Sequence, residues 1–227
     1  MAETTPEEMV RTLAKRELRK RMRGLRMTTP SASIEERSTA VRASLLSLPA
    51  VRNARAVALF WPILTRHELD LRPLALALRA MDKRVAYPLL TEEPGRMDLC
   101  FVEDEAQLEE RGNGFAEPPE SAPLARTGEL DVVVVPALAL DARGHRLGYG
   151  AGYYDRALPR HCPPAVSIGV AFSFQLLGEI PIATHDVAVD LVVTDRGILV
   201  PGQLVADSAH VRGFEPREAG VTVVRRR

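Results

Sequence analysis

The sequence predicts an α/β layered fold with a largely parallel central sheet, and three observations carry that prediction. Val132–Val135 is an unbroken β-branched run without polar alternation, which suits a strand buried on both faces between helical layers. Comparable apolar runs recur at 54–61 (ARAVALFW), 165–172 (AVSIGVAF) and 187–193 (VAVDLVV). Helical patterns or open connections separate them, mostly without tight hairpin signals, as expected for strands running in the same direction.

From Pro6 to Leu25 the apolar residues Met9, Leu13, Leu18, Met22 and Leu25 recur near helical spacing, after a Thr5-Pro6-Glu7-Glu8 start signal. Lys15, Arg16, Arg19, Lys20, Arg21 and Arg23 cluster on this helix, a pattern that by itself also fits a solvated face. A second helix is expected over 33–48, stopped by Pro49. The strand at 54–61 ends in Phe60-Trp61-Pro62, and ILTRHELD leads into a helix over 69–81 with Pro73 in its first turn. Arg84–Tyr87 reads as a short strand closed by Pro88, residues 98–102 as another, and 103–110 as a short polar helix. Residues 111–128 are rich in Gly, Pro and Glu and read as a long surface connection. After the run at 132–135, Pro136 marks a strand end because it has no N–H for a ladder. Residues 165–172 are the next strand, 174–177 a helical turn, and 187–193 the last strand. A single domain over 1–200 is expected, with 201–227 a partly disordered tail.

The chain has 227 residues, 46% of them hydrophobic, and a formal net charge of +0. That balance argues against electrostatically driven binding of nucleic acid or a membrane surface. Cys100 and Cys162 are its two cysteines, which points to reduced thiols rather than a disulfide framework. The polar N-terminus does not resemble a secretory signal, and no apolar run reaches spanning length, so a cytoplasmic protein is expected, with a monomer as the default.

The chemistry concentrates after the central strand, in DARGHRLGYGAGYYDRAL. Gly148, Gly150 and Gly152 recur at every second position between Arg146 and the Tyr153-Tyr154-Asp155 triplet. Alternating glycines let backbone N–H groups approach a bulky anion, and the carboxyl end of a buried strand is where open α/β sheets bind ligands. The spacing is neither a P-loop nor a Rossmann fingerprint, no Cys/His set has zinc spacing, and no serine sits in a nucleophile elbow. A glycine-lined cradle, Arg146, Asp155 and Asp190, and the basic helix together suit a phosphorylated ligand with Mg²⁺.

The run VPALALDARGHRLGYGAGYYDRAL closely resembles the signature of the 5-formyltetrahydrofolate cyclo-ligases. AKRELRKRMR, FWP with the following HELDLRPL, and VAVDLVVTD fall in the family's order, so the resemblance covers about Lys15 to Asp195. It implies a three-layer α/β/α sandwich and ATP-dependent conversion of 5-formyltetrahydrofolate, or its polyglutamylated forms, to 5,10-methenyltetrahydrofolate, with Mg²⁺ required. By position, it implies that Lys15, Arg16 and Arg19 touch ATP, with Arg19 also reaching the folate. The loop of Arg146, Leu147, Gly148, Tyr149, Gly150, Ala151, Gly152, Tyr153 and Tyr154 would hold nucleotide, with Tyr149, Gly150 and Tyr153 also facing substrate. Trp61 and Glu68 would contact the folate, and Asp155 and Asp190 would hold Mg²⁺. Glu68 also suits a cap for the helix from Leu69, Trp61 a core position, and His67 and His185 plain loop positions. Many relatives carry basic residues where this chain has Tyr149 and Ala151, which shifts charge neutralisation onto Mg²⁺ and the first helix. A non-catalytic folate- or nucleotide-binding regulator and a sugar-phosphate isomerase are the alternative readings.

Overall fold

The structure is a computed structural model that describes residues 5–112, 114–202 and 221–224. Helix α1 (Pro6–Thr28) begins with a reciprocal cap: Thr5 accepts from the Glu8 N–H, and the Glu8 carboxylate accepts from the Thr5 N–H. Helix α2 (Ser31–Ser47) and the short α3 (Pro49–Asn53) follow, then strand β1 (Ala56–Ala58) and helix α4 (Arg72–Arg79). Next come β2 (Arg84–Leu90), β3 (Met97–Val102), and the two-residue strands β4 (Glu109–Glu110) and β5 (Ala116–Glu117). The central strand β6 (Val132–Pro136) leads into β7 (Ala139–Asp141), β8 (Arg146–Leu147) and helix α5 (Tyr153–His161). The chain continues through β9 (Val166–Val170), β10 (Leu176–Leu177), β11 (Leu191–Thr194), β12 (Gly197–Pro201) and β13 (Val221–Val224).

The main sheet has the order β13-β12-β11-β9-β6-β1-β2-β3. Its interior pairs, β11 with β9, β9 with β6, β6 with β1, and β1 with β2, are all parallel, and antiparallel strands close both edges. The unbroken valine run is explained by its two faces. Val132 and Val134 pack with α2 and α4 residues such as Val41, Leu45 and Leu78, while Val133 and Val135 pack with Leu140, Ala157 and Leu158 on the α5 side. Neither face meets water, so no polar alternation is possible. A third cluster joins Met22 of α1 to Leu138, Ala139, Leu147 and Ile180, which docks the first helix onto the small sheet β10-β7-β8. That contact fixes the basic helix beside the glycine loop. Among the described residues, no helix is long and apolar enough to cross a membrane.

Several local expectations change. Pro88 does not close a strand; β2 runs through it, opposite Leu99 of β3. The Arg84 N–H and the Ala86 carbonyl both bond toward β1, so the ring nitrogen of Pro88 faces that side just past the end of the β1 ladder, where no N–H is needed. Two residues on, the Leu90 N–H finds the Glu117 carboxylate instead. The polar helix expected over 103–110 is one 3₁₀ turn, Glu105–Gln107, started by the Asp104 side chain accepting from the Ala106 N–H, and the chain then pairs β4 with β5. Helix α5 was not anticipated because Pro159 lies inside it and the glycines precede it. The last strand of the parallel set turns back at Asp195 and Arg196 into β12, and residues 221–224, expected as tail, add an edge strand to β12. The other tail positions, 203–220 and 225–227, lie outside the described residues.

Candidate functional site

The lysine and arginine stripe of α1 meets the glycine loop directly. Arg19 donates from Nε to the Gly148 carbonyl at 2.9 Å, and burial, followed by the nearby Arg23 charge, lowers its pKa from the usual arginine value. A Cβ on Gly150 would stand 3.5 Å from the Arg19 guanidinium carbon, and Gly150 has φ +113°. The Cβ distance is ordinary contact, so it is the positive φ that favours glycine there. Lys15 is ion-paired with Asp186, which also accepts from the Ala183 N–H. Arg16 is exposed and lines a shallow cleft with Arg19, Lys20 and Arg23.

Arg146 lies beneath the loop with its side chain 4% exposed, donating to the Val187 carbonyl and, at 2.6 Å, to Asp155. Burial lowers its pKa, opposed by the Asp155 charge, although a guanidinium keeps its proton at neutral pH. Asp155 accepts a second bond from the Val187 N–H at 3.1 Å through the same Oδ1. Leu147 is a core residue, and its carbonyl accepts from the Leu138 N–H. Gly152, with φ 68°, stands before α5, and the exposed Ala151 gives its carbonyl to Arg156. Tyr153 packs against the α5-side core, and burial pushes the Tyr154 hydroxyl well above its usual pKa; that hydroxyl has no hydrogen-bond partner among the described residues.

On the other side of the loop, the Tyr149 hydroxyl donates to Glu68 Oε1, while Oε2 accepts from the Ile63 N–H at 2.9 Å. Glu68 is therefore a buried acceptor at the site rather than a cap of α4. Burial first, and then the Glu68 charge, raises the Tyr149 pKa, so its phenol remains a donor. Arg23, Arg26 and Arg66 place guanidinium carbons 5.6, 5.9 and 5.6 Å from the Tyr149 ring centre. Trp61 sits apart from this cluster, packed edge-on to Tyr87 at 5.9 Å in the α2–α4 core and near Arg72.

The two carboxylates read as metal ligands do not converge. Asp190 accepts from the Ser167 N–H at 2.8 Å and Oγ at 2.6 Å, and its charge acts on Cys162 just past the end of α5. Asp155 is in the first turn of that helix, so roughly 10 Å of helix separates the two places at 1.5 Å per residue. Among the described residues, no group of three or more His, Cys, Asp or Glu side chains gathers as a metal site. Asp155 still fits Mg²⁺ as a single carboxylate: among the described residues Oδ2 takes no hydrogen bond, and this ion commonly combines one or two carboxylates with phosphate oxygens and water.

Arg26 and Asp186 touch the candidate site residues Glu68, Tyr149 and Lys15, although neither is among the residues expected from the sequence. Arg26 follows Arg19 by two helical turns and Arg23 by three residues, so it continues the same stripe, a signal the spacing did contain. Asp186 had no such signal, because it reaches Lys15 across the fold from a loop.

Comparisons with known proteins bear on the family of the chain. The 5-formyltetrahydrofolate cyclo-ligase family profile matches residues 11–195. A protein of Mycolicibacterium smegmatis named 5-formyltetrahydrofolate cyclo-ligase is 49% identical over 88 residues, which is 38% of this chain and 45% of that protein. The Escherichia coli K12 protein of the same name is 31% identical over 184 residues, 78% of this chain and 96% of its own length. The solution structure of Aquifex aeolicus 5,10-methenyltetrahydrofolate synthetase superimposes with a TM-score of 0.73 at 32% identity, covering 88% of this chain and 99% of that one. With the family profile spanning most of the chain and the E. coli relative matched nearly end to end, this chain belongs to the 5-formyltetrahydrofolate cyclo-ligase family.

Proposed function

We propose that the chain converts 5-formyltetrahydrofolate to 5,10-methenyltetrahydrofolate using ATP, releasing ADP and phosphate. The observation that carries the proposal is the docking of Arg19 on the Gly148 carbonyl, which joins a basic helix to a glycine loop beside the buried Glu68. Lys15, Arg16 and Arg19 supply the positive charge for a triphosphate, and Gly148–Gly152 keep side chains off the approach of its oxygens. In the reaction, the formyl oxygen attacks the γ-phosphorus and ADP leaves. N10 then attacks the activated carbon and gives up its proton, and phosphate departs as the ring closes. Such a transfer needs alignment and charge neutralisation more than a reactive side chain. Glu68 holds the folate end in place, with Tyr149, Gly150 and Tyr153 around it. Asp155 would hold Mg²⁺ through its free carboxylate oxygen, and the ion would supply charge neutralisation for the phosphates, while Asp190 is a more distant carboxylate.

The test is to mix purified protein with 5-formyltetrahydrofolate, Mg²⁺ and ATP, and to follow the near-ultraviolet absorbance of the methenyl product. An ATP-dependent rise is expected. Binding of both ligands without turnover would instead support the regulator.

A further inference from the structure

Among the described residues, Arg26 is a buried charged group whose donors are incompletely paired. It is 4% exposed in the last turn of α1, yet its contacts are poor for a buried guanidinium. Nη2 meets Glu68 at 3.4 Å and the Tyr149 hydroxyl, while Nε is buried with no hydrogen-bond partner among the described residues. Burying a charged donor without an acceptor is costly, and native structures retain such groups where something else completes them. A purely structural role is already filled. The His67 ring nitrogen lies 3.2 Å from the Arg26 carbonyl and 3.1 Å from that of Thr29, which ties the loop before α4 to the end of α1 without the arginine side chain.

The surroundings indicate what completes it. Arg26, Glu68 and Tyr149 line a cavity with Phe60, Pro136 and Val170, at the carboxyl ends of β1, β6 and β9. That is the ligand end of a parallel sheet. The polar Gln175 in its wall is satisfied, donating to the Leu138 carbonyl and accepting from the Phe172 N–H. The cavity holds only about 20 Å³, against about 300 Å³ or more in ordinary ligand pockets. Tyr149 closes it. That ring is 40% exposed and lies between Gly148 and Gly150, neither of which offers a side chain to resist its rotation.

We infer that Arg26 binds the substrate: once Tyr149 swings off Glu68, Arg26 Nε donates to the ring carbonyl of a 2-amino-4-oxopteridine whose amine and ring N–H lie on the Glu68 carboxylate. The inference rests on the cyclo-ligase reading. Its chemistry is a match of edges: the ring presents two donors and one acceptor in a row, and the carboxylate–guanidinium pair presents their complement. Tyr149 is the placeholder: its hydroxyl holds Glu68 Oε1, the carboxylate oxygen beside Arg26, which the ring N–H takes in the complex.

Full-length protein titrated with 5-formyltetrahydrofolate in the absence of ATP, and separately with ATP, tests this. Arg26→Gln should raise the folate Kd about tenfold to a hundredfold, the cost of a hydrogen bond to a charged group, with ATP binding unchanged. Arg26→Lys keeps the charge but loses the Nε donor and should also bind at least several-fold more weakly; it serves if the glutamine variant does not fold. Tyr149→Phe frees Glu68 and should tighten folate binding by about threefold to tenfold. A structural role would weaken a 4-amino pteridine analogue as much as the 4-oxo compound, whereas the inferred contact predicts that Arg26 variants lose the preference for 4-oxo. Wild-type affinity in the arginine variants, or an equal loss for both pteridines, overturns the inference while leaving the cyclo-ligase reading intact. Failure of the wild-type protein to bind 5-formyltetrahydrofolate overturns both.

Discussion

Replacing Asp155 separates stability from chemistry. Asp155→Ala removes the carboxylate that holds Arg146 at 2.6 Å and accepts the Val187 N–H at 3.1 Å. The Arg146 side chain is only 4% exposed, so Nη2 is left charged and unpartnered, with one remaining bond from Nη1 to the Val187 carbonyl. Breaking a fully buried ion pair costs about 3–5 kcal/mol, but the Asp155 side chain is 20% exposed and water can enter the vacated space. The expected loss is therefore about 2–3 kcal/mol, read as a lower urea midpoint at constant slope. Asp155→Asn keeps an acceptor for Val187 and much of the geometry, so its loss should be nearer 1 kcal/mol. If Asp155 also holds Mg²⁺, the asparagine variant still loses most turnover despite its near-normal stability, and added Mg²⁺ recovers part of it. An alanine variant within about 0.5 kcal/mol of wild type would refute the Arg146 anchoring, because surface substitutions change stability by that much. Full turnover by the asparagine variant would refute the metal assignment.

Gly150→Ala forces a Cβ onto φ +113° and should cost about 1–2 kcal/mol, with weaker ATP binding seen in the same nucleotide titration. Gly169→Ala should destabilise by about 1–3 kcal/mol without altering ligand affinity in the surviving folded protein, because its Cβ would meet Leu140 at 2.9 Å and Val189 at 3.0 Å in the α5-side core. Asp186 is expected to lose stability in acid: burial alone would raise its pKa, but the Lys15 and Ala183 hydrogen bonds hold it below the usual carboxylate value. A depressed folded pKa gives stability that is present above the unfolded value of about 4 and lost as pH falls through the folded pKa. Asp186→Asn should flatten that part of the stability–pH curve, and an unchanged curve would count against the Lys15 pairing.

Local rules made much of the chain legible. The valine run identified the central strand because a strand buried on both faces needs no polar alternation. The Thr5–Glu8 start signal became the observed cap of α1 because capping depends on four consecutive residues. The glycine loop, with its arginine, tyrosines and aspartate, reads as a candidate site in the sequence because its parts are adjacent in the chain. Elements stabilised by partners elsewhere were missed. Pro88 reads as a strand breaker until β1 is seen to end beside it, and α5 is hidden by Pro159 until Ala157 and Leu158 find the sheet.

The sequence by itself determined the α/β class, the family and the glycine loop, all of which are written in short-range pattern and spacing. Only the tertiary structure decided which charges meet. It set Asp186 on Lys15, Arg146 under Asp155, and Arg26 with Glu68 and Tyr149, and it kept Asp190 with Ser167 instead of beside Asp155. The physical reason is that a charge pair depends on distance and desolvation in space, and packing brings together groups that the chain holds far apart.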